Sequence, residues 1–190
     1  MKAYAVLLRG INVGGKNKMP MAGLKKLLEG LGFSDVKTYI ASGNAVLRSD
    51  KSPSQVKAAI EKALPQAFKL DAELIKVLVL SHGEIRSMIA ERPKGFGDEP
   101  TKHHSDAIFL IGLKPAEALA VFSPREGVDK VWGGKGLIYS QRLSAKRTQS
   151  RLGKIMGTPA YQSMTIRNWR TTTTLLEMLD ALMSPKKKTP

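Results

Sequence analysis

The sequence predicts an α+β protein in which one six-element unit is used twice. Three observations carry that prediction. Stretches that alternate apolar and polar residues, as half-buried strands do, interleave with stretches whose apolar residues recur three and four apart, as in helices. One order of these stretches runs before a Gly- and Pro-rich segment and again after it. The apolar share, 42% of 190 residues, is enough for a real core in one domain or two small ones.

The elements follow in order. "AYAVLLR" alternates as a strand, and "MAGLKKLLEGLG" has helical spacing at Leu24, Leu27, Leu28 and Leu31 with Gly32 as its stop. "VKTYIA" and "NAVLRS" are strands joined by the tight turn "SGN". "SPSQVKAAIEKALPQAF" is a helix with Ser52 as cap and Pro53 in its first turn. "LIKVLVL" is a strand and "HGEIRSMIAE" a short helix. After "RPKGFGDEPTKHH", which reads as a linker, "DAIFLIG" is a strand and "PAEALAVF" a helix. "DKVWG" and "GLIYSQ" are strands, "SAKRTQSRLGKIM" a helix, "YQSMTI" a weak strand and "NWRTTTTLLEMLDALM" the closing helix.

The order βαββαβ is that of the ferredoxin-like unit. The expected organisation is therefore a first ferredoxin-like unit over 1–92, a linker over 93–104, a second unit over 105–184 and a basic tail over 185–190, each unit followed by a helix. Residue identity between the halves is poor, so the repeat is one of order.

The charge is unevenly placed. Residues 1–28 carry six Lys and Arg and no acid, residues 29–129 thirteen bases against fourteen acids, and residues 130–176 nine bases and no acid. The formal net charge of +15 thus resides in two acid-free windows, which points to an anionic partner. With no cysteine, disulfides and thiolate chemistry are excluded, and a cytoplasmic location is expected. No apolar run approaches the ~18 residues of a membrane span, and "MKAYAVLLRG" is too short for a secretory leader. His82 reads as a residue near a helix cap and His103–His104 as loop residues; three scattered histidines without paired carboxylates suggest no metal. No Ser-His-Asp or paired-carboxylate spacing selects a catalytic residue, so the sequence decides neither an enzyme nor a cofactor.

The first window contains "LLRGINVGGKNKMP". Its connector from Gly10 to Pro20 is eleven residues long, whereas the equivalent one in the second half, Gly112 to Pro115, has four. The seven extra residues suggest a shaped, functional loop. "GINVGGKN" fits the phosphate-loop pattern G-x-x-x-x-G-K, but Asn17 stands where a Ser or Thr should hold magnesium and Pro20 starts the helix too late. A nucleotide-hydrolysing site is therefore not expected. Glycine N–H groups and lysines still favour an anion, with Arg9, Asn12, Lys16, Asn17 and Lys18 as its candidate ligands. The alternative is a packed loop with solvated lysines. In a ferredoxin-like unit the hairpin "ASGN" shares this rim, adding Ser42 and Asn44, unless its Gly43 and Asn44 serve only the turn.

In the second window the same topology places Arg142, Ser144, Lys146, Arg147 and Arg151 near Arg167, Asn168 and Arg170. Bases in a helix's first turn oppose its dipole, at a cost unless an anion is present. Lys146, Arg147 and Arg170 would do so; the alternative is that Arg147 and Arg151, four apart, form a solvated helix face. Trp169, beside Leu175, Leu176 and Leu179, fits the core better than a stacking platform.

The stretches "LLRGINVGGKNKMPMAGLKKLLEGLGF", "VKTYIASGNAVL", "SRLGKI" and "TIRNWRTTTTL" resemble the bacterial domain of unknown function 1697 family. The resemblance covers nearly the whole chain and implies two ferredoxin-like subdomains; it implies no activity, because the family has none established. Three readings of function therefore stand. The first is a protein binding a phosphate-bearing or other anionic small molecule, at one site or two. The second is a nucleic-acid-binding module without sequence readout; its strands offer one aromatic, Tyr139, where an RNA-recognition sheet needs several. The third is a structural or partner-binding protein whose charge keeps it soluble.

Overall fold

The computed structural model describes residues 1–72 and 74–184. It contains two four-stranded antiparallel sheets with helices. The first sheet uses β1 (Lys2–Leu8), β2 (Ser34–Tyr39), β3 (Asn44–Ser49) and β4 (Val77–Ser81), in the order β2-β3-β1-β4. The second uses β5 (His103–Leu110), β6 (Asp129–Gly134), β7 (Leu137–Leu143) and β8 (Met164–Asn168), in the order β6-β7-β5-β8. The repeat of order read from the sequence is thus a repeat of pairing.

The central strands explain their composition. β1 is buried at every position after Lys2, as a strand flanked on both sides and covered on both faces must be. Helices α1 (Met21–Gly30) and α2 (Pro53–Ala67) bury Leu24, Leu28, Ile60 and Leu64 against the face that carries Tyr4 and Val6. α2 starts as expected: Ser52 Oγ accepts from the Gln55 N–H, and the Gln55 side chain accepts from the Ser52 N–H.

The described residues divide into two compact units, one of residues up to Ile85 together with 174–184, and the other Arg86–Thr173. This differs from the 1–92, 93–104 and 105–184 partition that composition suggests. α3 (His82–Ala90) spans the first boundary, and the body of α5 (Trp169–Met183), with Leu175, Leu179 and Leu182 buried, belongs with the first unit. There His82 Nε2 lies 2.6 Å from Asp180 Oδ1.

The expected linker is no linker. Phe96 is fully buried in the second unit, edge-on to Trp169 at 5.0 Å and to Tyr139 at 5.2 Å. Gly97, at φ +80°, has no room for a side chain, because a Cβ would fall 2.3 Å from the Trp169 ring. Trp169 is accordingly a core residue. His103 and His104 lie in β5 rather than in a loop. Helix α4 (Pro115–Leu119) is a single short turn.

The helix expected over 144–156 is absent. Three 3-10 turns stand there, Ser144–Gln149, Leu152–Gly157 and Pro159–Ser163. The physical reason is visible in the side chains: the segment's buried apolar residues are Leu152 and Ile155, three apart, which suits a three-residue turn and supplies no continuous α-helical stripe. The basic tail over 185–190 lies outside the described residues. Among those described, no helix is long and apolar enough to cross a membrane.

Candidate functional site

The long loop after β1 is a miniature hairpin. Val13 pairs with Lys16, and Gly14 and Gly15, at φ 59° and 78°, form the two-residue turn between them. Two asparagines hold it. Asn12 Nδ2 donates to the Met19 and Ala41 carbonyls at 2.9 and 2.8 Å, and the Met19 N–H donates to Asn12 Oδ1 at 2.8 Å. Buried Asn17 donates through Nδ2 to the Gly10 carbonyl at 2.9 Å and accepts from the Asp71 and Ala72 N–H groups at 2.9 and 3.0 Å. Both adopt the left-handed backbone that asparagine tolerates.

The rim predicted for Ser42 and Asn44 is the one observed, since Asn12 reaches Ala41. Yet Asn44 is fully buried and donates to the Tyr39 carbonyl and to Ser42 Oγ, so it serves the turn. Asn12 and Asn17 likewise build the loop. Lys16 and Lys18 are exposed and Arg9 half-buried. Nor is the loop acid-free in space: the Asn17 N–H donates to Asp71 Oδ2 at 2.5 Å.

The second basic window is dispersed. β7 and β8 both run antiparallel to β5, so Arg142 and Asn168 do reach one rim. Arg167 sits on the other face by strand alternation, buried, donating to Thr165 Oγ1 and the Ile166 carbonyl, and burial pulls its guanidinium down to about 10. Arg147 and Ser144 are exposed on the first 3-10 turn, where no α-helix dipole exists for Lys146 and Arg147 to oppose. Arg151 contributes its backbone, whose N–H donates to Asp129 Oδ2 at 2.8 Å. The helix-face pairing of Arg147 with Arg151 therefore falls away.

Acids from outside the window enter it. Arg142 Nη1 lies 3.8 Å from Asp106 Oδ2. The Asp106 carboxyl stands above its ordinary value, because burial pushes it up by more than His104 and Arg142 pull it down. Burial also works against ionisation of Asp129, but the Arg151 and Arg125 N–H groups, with Ser150 and Arg142, hold its carboxyl below the usual range.

What remains together is a cleft of about 490 Å³ at the start of α5 and β5, lined among others by Pro100, His103, His104, Asn168, Arg170 and Thr173. Asn168 caps α5, its Oδ1 accepting from the Arg170 N–H at 3.0 Å, and its Nδ2 donates to the Ser105 carbonyl at 3.3 Å. Arg170 is exposed beside it. His104 Nε2 stands 3.1 and 3.0 Å from the two oxygens of Asp106. Sequence reasoning missed this pair by reading the histidines as loop residues. The signal was "HSD" at the head of a strand, since residues two apart share a face. Among the described residues no group of three or more His, Asp or Glu could hold a metal ion.

These features define an α+β protein of two antiparallel sheets, with a cleft where a strand and a helix begin. The chain belongs to the family described as protein of unknown function DUF1697, whose model matches residues 1–139. It is similar to a solved structure, the conserved bacterial protein SP0830 from Streptococcus pneumoniae, at 28% identity and a TM-score of 0.78, covering 94% of this chain and 98% of that one. No curated protein matches it.

Proposed function

We propose that the protein consists of two ferredoxin-like units and binds a compact oxyanion, such as the phosphate, sulfate or carboxylate group of a small molecule, in the cleft at the start of α5. The strand order, with the first strand of each unit between the third and fourth, supports the fold reading. One observation carries the functional one. Arg170 and two histidines line a single cleft at the N-terminus of a fifteen-residue helix that has no acid in its first turn. The helix end and the Arg170 guanidinium act in the same direction on a negative charge. The nucleic-acid reading loses ground because Asp71, Asp106 and Asp129, from outside the basic windows, contact Asn17, Arg142 and Arg151 within them.

The test is thermal unfolding with sulfate, phosphate and a short single-stranded oligonucleotide. Sulfate at a hundred times its Kd should stabilise by about 2.7 kcal/mol, and Arg170→Ala should abolish that gain with the fold intact. A response to the oligonucleotide alone, lost with added salt, would favour diffuse polyelectrolyte binding instead.

A further inference from the structure

His104 has a constrained hydrogen-bonding choice. Its Nε2 faces both oxygens of Asp106, which accept and do not donate when ionised. A neutral imidazole carries one N–H, and this geometry assigns it to Nε2. The remaining nitrogen, Nδ1, makes no hydrogen bond among the described residues, and His104 lines the cleft. In the neutral ring Nδ1 is a lone pair, which repels an oxyanion. Adding a proton turns Nδ1 into a donor while Nε2 stays on Asp106. The ring then bridges a buried carboxylate and a bound anion.

We infer that the cleft takes up its oxyanion together with one proton, which binds at His104 Nδ1, so that Asp106 and His104 make this a proton-coupled anion site. The inference rests on the cleft being an anion site, as proposed above. The charged groups around His104 are consistent with it. Arg142 of β7 stands directly across from His104 in the register and pairs with Asp106. In the row beyond it, Asp129 of β6 stands opposite Arg142. From α5 comes Arg170, at the cleft. His103, the adjacent residue, has its Nδ1 3.6 Å from Glu99 Oε2, and Lys102 Nζ lies 3.6 Å from the same oxygen. Glu99 thus answers His103 and Lys102, whereas Asp106 answers His104 and Arg142. Of the three histidines, His104 is the one with a nitrogen on a carboxylate of its own strand face, while its other nitrogen makes no hydrogen bond among the described residues.

The consequence is a site that grips an anion in mildly acidic solution and releases it as pH rises. Imidazole is the side chain whose charge ordinarily changes near neutrality, which suits a histidine to this role. The ligand class is a small oxyanion that presents one oxygen to an imidazolium N–H and others to Arg170.

The experiment is calorimetric titration of the full chain with sulfate, which does not itself titrate over the range used, from about pH 5.5 to about pH 8.5. Above the imidazole value, affinity should fall by nearly tenfold per pH unit, and binding in two buffers of different ionisation heat should report proton uptake. His104→Gln should bind weakly at every pH with no proton uptake, and His103→Gln should retain the wild-type profile. Asp106→Asn should move the loss of affinity to lower pH, because the imidazolium loses its carboxylate. Sulfate binding that is pH-independent, yet weakened by Arg170→Ala, would overturn the proton coupling and leave the anion site standing. A pH dependence that vanishes in His103→Gln would overturn the assignment to His104. Sulfate binding at no pH would overturn both readings.

Discussion

Asn17 illustrates how a candidate ligand becomes a structural post. Its polar side chain in a glycine- and lysine-rich loop suggests an anion contact, but it satisfies the nearby Gly10 carbonyl and two N–H groups more than fifty positions away. No local pattern announces Asp71 and Ala72 as its partners. Asn17→Ala would leave those groups without protein partners and should destabilise the protein by roughly 2–3 kcal/mol, measured by urea unfolding. Lys16→Ala, at the exposed tip, should change stability by less than about 0.5 kcal/mol. Comparable losses from both would mean the hairpin is not held as described. Asn168 is the converse case: the sequence places it correctly at the head of α5, where it both caps the helix and borders the cleft.

At the scale of elements, what the sequence makes legible depends on the source of each element's stability. Strand β3 and helix α2 are read with nearly their observed bounds, because alternation in one and the Ser52-Pro53 start in the other are local signals. The segment after β7 is misread because its shape depends on a distant acid. Asp129 Oδ2 accepts from the Arg125 and Arg151 N–H groups and so ties the break between two 3-10 turns to the start of β6. Phe96 is hidden for a similar reason: one aromatic among Gly, Pro and charge looks like linker until Trp132, Tyr139 and Trp169 surround it.

Asp129 also gives the segment a pH dependence. Its folded-state carboxyl lies below the ordinary value of 3.8, so its stabilisation is present above that value and is lost as pH falls through the folded one. Asp129→Asn should therefore cost about 2 kcal/mol near neutrality, and the gap to wild type should close in acid. Urea unfolding at neutral pH and below the carboxylate range checks this. A gap that persists unchanged in acid would show that charge is not what Asp129 contributes.

At the scale of the whole molecule, the repeated order of elements is the most legible property, and it becomes a repeated strand order. The charge is legible in amount and only partly in effect. Windows without acids along the chain receive acids in space, at Asn17, Arg142 and the Arg151 backbone. A net charge of +15 is thereby divided into local arrangements, one of which is the cleft of about 490 Å³ beside Arg170. The unit boundary is the least legible, because α5 begins in the second unit and continues in the first, and no composition shift marks Thr174.

If anion recognition is localised in this cleft, sulfate calorimetry on three proteins will read it out: wild type, Arg170→Ala and Lys16→Ala. Wild type should show a single site, Arg170→Ala should lose it and Lys16→Ala should keep the wild-type affinity. Equal small losses in both variants would contradict localisation, because they would mean that charge acts from the whole surface.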